Sequence, residues 1–207
     1  MRNFFYKISL PLIFLALSFC GKKSTEPTTQ PPYSVKVGDA WIMQREISGN
    51  IDTTKLVVVA ETLINNIRFY EIVDTLENSE FYINASDSII VAFFMDQTPV
   101  IFRLIRANVN QGDSWVDSTV LSNGTIVKVL STVDSVNVSE TVPAGSFIVN
   151  KMTHKFRVKF GNIDTLAFIF KSSINRNVIF VRMTDINNTT NPPTQRDLKL
   201  IRYIKAQ

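Results

Sequence analysis

The sequence predicts an all-β protein whose antiparallel strands form a large curved sheet, a half-barrel or a sandwich, built from two similar halves. Three observations carry that prediction. From Tyr33 onward, short segments rich in Val, Ile, Phe, Thr and Tyr alternate with clusters of Asn, Asp, Gly and Ser, and no stretch keeps a helical period for three turns. The segment KMTHKFRVKF, residues 151–160, sets Met152, His154, Phe156, Val158 and Phe160 against Lys151, Thr153, Lys155, Arg157 and Lys159, a period of two that buries one set and solvates the other. Asn123-Gly124 and Gly161-Asn162, pairs that favour the positive φ of tight hairpins, stand between such segments.

The elements divide into two stretches, about 35–107 and 108–206, within one β domain spanning 33–207. Gly38-Asp39-Ala40-Trp41 opens the first stretch and Gly112-Asp113-Ser114-Trp115 the second; Glu61-Thr62 and Phe69 align with Glu140-Thr141 and Phe147. A period this long suits half of a domain rather than a solenoid unit. In each copy the tryptophan begins a strand after a Gly-Asp turn, so each indole is expected to cover one end of the core with its N–H on a carbonyl. In the second stretch, SWVDSTVL, TIVKVLSTV, KFRVKF, DTLAFIF, VIFVRM and LKLIRYIK read as a meander of hairpins. The VPAGSF segment, residues 142–147, reads as a tight reversal, because Pro143 presets φ and Gly145 permits a positive one.

Residues 1–19 carry Arg2 and Lys7, no acid, and an apolar run from Ile8 to Phe19 that is too short to span a bilayer. This is the pattern of an export signal. Leu17-Ser18-Phe19-Cys20 resembles a bacterial lipobox, with Phe19 standing where Gly, Ala or Ser is usual. The resemblance implies diacylglyceryl attachment to the Cys20 thiol and cleavage just before it. Two or three acyl chains then hold the protein to a membrane. Gly21 rather than Asp after the cysteine implies the outer membrane, on its periplasmic or surface side, under the sorting rule of some Gram-negative bacteria. Residues 20–32 continue as a Lys-, Thr- and Pro-rich tether with no large apolar side chain. Removing residues 1–19 lowers the formal net charge from +4 to +2, and no dense basic run with interleaved aromatics is present, which argues against nucleic acid as a partner.

YSVKVGDAWIM after the tether, ETVPAGSFIVNKM mid-chain and LKLIRYIK at the end resemble a broad group of uncharacterised bacterial lipoproteins. Those proteins open with a Gly-x-x-Trp strand, contain a Val-Pro-Ala-Gly-(Ser/Thr)-Phe turn and end in a Leu-x-x-Tyr strand. The resemblance implies an exported antiparallel β domain and no activity. The glycine-rich stretch such proteins often carry before their last strand is missing here.

Chemistry-bearing motifs are sparse. His154 is the only histidine and the single cysteine belongs to the lipobox, so a zinc site would have only carboxylates to add, and no Gly-x-Ser-x-Gly turn is present. No metal or cofactor is therefore expected. The loop DINNTTN, residues 185–191, offers oxygen ligands for calcium without the spacing of a dedicated loop. The row Lys151, Lys155, Arg157 and Lys159 would face solvent or an anionic envelope component. On the apolar faces, Phe156, Val158, Phe160, Leu166, Phe168 and Phe170, together with Phe93 and Phe102, would line a concave sheet. Three functions follow: a non-catalytic binding or structural protein of the cell envelope; a carrier or receptor for a hydrophobic or lipid ligand inside the curved sheet; and an envelope hydrolase, which requires Asp, Glu or His154 side chains to converge in one cleft.

Overall fold

The structure, a computed structural model, describes residues 33–95 and 97–207. The export signal, Cys20 and the tether to residue 32 lie outside the described residues. Six strands fall in the first stretch: β1 (Ala40–Ile47), β2 (Asn50–Ile64), β3 (Ile67–Asp74), β4 (Ser79–Ala85), β5 (Ile89–Met95) and β6 (Thr98–Ile105). Six more fall in the second: β7 (Ser114–Val120), β8 (Ile126–Val142), β9 (Gly145–Phe160), β10 (Ile163–Asn175), β11 (Ile179–Asn187) and β12 (Thr194–Ile204). The described residues contain no helix.

All twelve strands join one antiparallel sheet in the order β6-β5-β4-β3-β2-β1-β12-β11-β10-β9-β8-β7. Each stretch is thus a six-strand meander, and β1 pairing with β12 joins the two. The curved sheet is the form taken, not the sandwich. A sheet this wide curls, and bulges localise the bending: register shifts occur in β1 at Ile42/Met43, in β2 at Val58/Ala60 and twice in β8 between Val133 and Val138. Curling brings the two end strands, β6 and β7, face to face into a nearly closed barrel.

Side chains complete that seam. Asp117 on β7 accepts the Arg103 backbone N–H of β6 at 2.9 Å and its guanidinium at 2.6 Å, while Trp115 Nε1 donates to the Arg103 carbonyl at 3.0 Å. Unpaired edge groups would otherwise offer a template for another strand. Here the N–H and the carbonyl of Arg103 are occupied from within the chain.

The two Gly-Asp turns share one hydrogen-bond plan. Asp39 Oδ2 accepts Lys36 N–H at 2.9 Å and Asp113 Oδ2 accepts Asn110 N–H at 2.8 Å. Gly38 N–H donates to the Val58 carbonyl and Gly112 N–H to the Val133 carbonyl, and the return bonds run from Val58 N–H to Asp39 O and from Val133 N–H to Asp113 O. Both glycines have φ near +90°, at +94° and +88°, where a side chain is strained, and a Cβ at Gly38 would lie 3.2 Å from Ala206. The VPAGSF turn has a longer reach than its local chemistry suggests: Ala144 N–H bonds to the Leu200 carbonyl on β12 at 2.9 Å.

The interior is one main apolar cluster drawn from both meanders, including Trp41, Met43, Phe102, Phe156 and Phe180. One end of the barrel is sealed. Trp41 is fully buried, donates its indole N–H to the Val178 carbonyl, and packs against Phe180 at 5.3 Å and Tyr203 at 5.5 Å between ring centres. Tyr33 and Val35 are buried beside it, with Tyr33 N–H bonded to the Ser86 carbonyl and the Arg176 guanidinium over the Tyr33 ring.

Candidate functional site

The interior is not filled throughout. A cavity of about 250 Å³ lies between the tryptophan end and the opposite end of the barrel. Seven phenylalanines contribute to its wall, drawn from six different strands. Phe156 and Phe168 stack at 3.9 Å between centres, and Phe102 meets Phe156 edge-on at 5.1 Å. Aliphatic side chains, among them Leu56, Val91, Leu104 and Leu198, fill the spaces between the rings. The exposed residues Ser79 and Glu80 also belong to the wall, so the cavity reaches solvent at the end away from Trp41.

Of the residues expected to line a concave sheet, Phe156, Phe168 and Phe170 do so, with Phe93 and Phe102. Val158, Phe160 and Leu166 do not. Val158 is half-buried against Val127, its partner across β8. Phe160 sits where its hairpin outruns the barrel and is 59% exposed. Leu166 is displaced by a bulge between Leu166 and Phe168: it pairs with the outward-facing Arg157, whereas Phe168 pairs with Phe156. One extra residue therefore changes the face to which Leu166 belongs.

The solvent end of the cavity carries charges on the inner face of the sheet. Arg45 donates to both Asp52 oxygens, at 2.8 and 2.6 Å, and to Glu77 at 2.6 Å. Arg196 continues the series, bonding the other Glu77 oxygen and, through Nε at 2.8 Å, Asp185. The result is a chain of five side chains, Asp52, Arg45, Glu77, Arg196 and Asp185, of which Arg196 and Asp185 line the cavity. Burial pushes the Asp185 carboxyl above the usual carboxylate range, against the pull of the Arg196 guanidinium. Asp74, 3% exposed, also lines the cavity and accepts hydrogen bonds from Thr54 Oγ1, Leu76 N–H and Glu77 N–H.

Residue type points these charges toward solvent, yet their phase along the strands points inward. Arg45 is in step with Met43, Asp74 with Ile72, Asp185 with Met183, and Arg196 with Leu198, and all four apolar partners are buried. That periodicity is the signal by which sequence alone identifies them.

His154 lies deep in the barrel. Its Nδ1 is 2.8 Å from Ser131 Oγ, its ring stacks on Phe170 and meets Phe102 edge-on, and burial pushes its pKa down to about 3, so the imidazole is neutral at ordinary pH. Nε2 is buried without a partner. The carboxylates Asp74 and Asp185 do converge on one cavity, but Asp74 is held by three donors, Asp185 by Arg196, and His154 stands apart from both. Among the described residues no group of three or more His, Cys, Asp or Glu side chains is placed to hold a metal ion. The DINNTTN loop uses its oxygens internally: Asn187 Oδ1 accepts from the Thr189 N–H and hydroxyl. In the basic row, Lys151 pairs with Glu140 and Arg157 with Asp164.

No protein-family model matches the chain, and no curated protein does. Two crystal structures resemble it. One is a predicted exported protein with a YmcC-like fold from Bacteroides fragilis, at 13% identity and a TM-score of 0.52, the match covering 84% of this chain and 99% of that one. The other is a predicted lipoprotein from Parabacteroides distasonis, at 11% identity and a TM-score of 0.49, covering 83% and 97%. The first likeness is one of fold: the single curled antiparallel sheet described above is a YmcC-like fold.

Proposed function

We propose that this protein is a lipid-anchored, non-catalytic component of the bacterial cell envelope, held at the outer membrane through Cys20, whose barrel binds a small apolar ligand. It would belong with the bacterial lipoproteins that share its Gly-x-x-Trp and Val-Pro-Ala-Gly-(Ser/Thr)-Phe motifs. The cavity carries the binding role. Protein interiors are ordinarily close-packed, and an engineered apolar void of about 150 Å³ already takes up benzene. The larger phenylalanine-walled space, reaching solvent at one end, has room for an aromatic or short aliphatic group. The neutral, sealed His154 and the tied carboxylates favour binding over hydrolysis, since neither offers a free acid or base to a substrate. For location, the lipobox-like Leu17–Cys20 segment and the predicted export of the Bacteroides fragilis protein of the same fold point the same way.

Mass spectrometry of the mature protein purified from membranes, with an organic extract analysed in parallel, tests both parts. The expected result is an N-terminal peptide beginning at acylated Cys20 and uptake of apolar compounds, co-purified or added. Unmodified Cys20 on an intact precursor overturns the anchoring. A protein that takes up no apolar compound overturns the binding role.

A further inference from the structure

The charge at the cavity opening narrows the ligand. We infer that the barrel selects an organic cation, an ammonium group carrying an apolar substituent, over a neutral or anionic amphiphile of the same size. This rests on the reading of the cavity as a ligand site. The cavity wall holds three carboxylates, Asp74, Glu80 and Asp185, against one guanidinium, Arg196. That guanidinium is already shared between Glu77 and Asp185. Asp74 is the decisive group: it is buried on the wall, and its three hydrogen-bond donors, a hydroxyl and two backbone amides, carry no charge.

Because the donors around Asp74 are neutral, no hydrogen-bonded cation offsets the field of its carboxylate in the low-dielectric space beside it. The rest of the wall adds little positive charge against it. Arg196 is the one cationic side chain on the wall, and the remaining lining is phenylalanine and aliphatic side chains with Ser79. His154, neutral behind Phe102 and Phe170, adds no opposing charge. A fatty acid would instead place its carboxylate among three others, beside a guanidinium that is already paired.

Calorimetric titration of the purified mature protein with hexyltrimethylammonium, hexanol and hexanoate, which share one apolar chain, tests this. The cation is expected to bind about tenfold more tightly than the alcohol, the scale of one desolvated cation–π or charge contact, and hexanoate more weakly than the alcohol. Asp74→Asn is expected to lower the ratio of cation affinity to hexanol affinity, and a ratio unchanged in a folded variant overturns the role of Asp74. Hexanol bound as tightly as the cation, or hexanoate bound more tightly than either, overturns the inference while leaving an apolar site standing. Binding of none of the three overturns the site itself. The wild-type series decides the matter even if the Asp74 variant does not fold.

Discussion

The two ends of the barrel solve opposite problems with the same strands. At the tryptophan end, polar groups find partners within a packed plug: an indole on a carbonyl, Tyr33 under Arg176, and a backbone bond from Tyr33 to Ser86. At the other end, five charged side chains pair with one another, and two of them, Arg196 and Asp185, stand on the wall of a space left unfilled. A plug of apolar rings contributes stability through area removed from water, whereas an ion-pair chain near solvent contributes little net stability. The difference separates closure from access. One end is packed shut, and the other leaves the interior space open to solvent.

The largest effect that sharpens this contrast is expected at the closed end. Trp41→Ala empties a fully buried site between Phe180 and Tyr203 and should cost about 3–5 kcal/mol in urea unfolding. At the open end, Arg196→Leu should cost only about 2 kcal/mol, because it strands Asp185 and one oxygen of Glu77 in a partly solvated setting. Adding Asp185→Leu to that variant should recover part of the loss, since two apolar groups replace a pair that had to be desolvated.

Acid supplies a third contrast, because His154 belongs to neither end. Its folded-state pKa, about 3, lies below the unfolded value of about 6.5, so the unfolded chain binds more protons between them. The stability that depends on the neutral imidazole is complete above pH 6.5 and is lost as pH falls toward 3. Measured against His154→Phe over that window, the wild type should lose up to about 1.4 kcal/mol per pH unit. A difference that stays flat with pH would mean that the imidazole is solvated. The smallest effect belongs to the seam: Trp115→Phe removes one hydrogen bond to the Arg103 carbonyl and should cost about 1 kcal/mol, with faster hydrogen exchange confined to β6 and β7.

Much of this architecture is legible in the chain itself. Period-two alternation in residues 151–160 identifies the buried face from Met152 to Phe156, and the Gly-Asp-x-Trp pairs mark the turns where positive φ is required. Where the reading departs from the structure, the cause lies across strands rather than along them. The bulge beside Ala167 arises from pairing with β9, so spacing alone groups Leu166 with Phe168. Phe160 keeps its inward phase but has no facing strand to cover it. The interior charges were masked by residue type, although each is in phase with a buried neighbour. Curvature is the least legible property, since it follows from bulges in many strands acting together, and the cavity follows from curvature.

The central claim, that the phenylalanine-walled space is an accessible apolar site, is tested most directly by diffraction from crystals of the protein equilibrated under xenon, a gas that apolar cavities take up. A xenon peak is expected between Phe93, Phe156 and Phe168, abolished by filling the space with Val91→Trp. Crystals that show no xenon in the barrel, or show it there equally in the filled variant, would mean that the space is not an accessible apolar site.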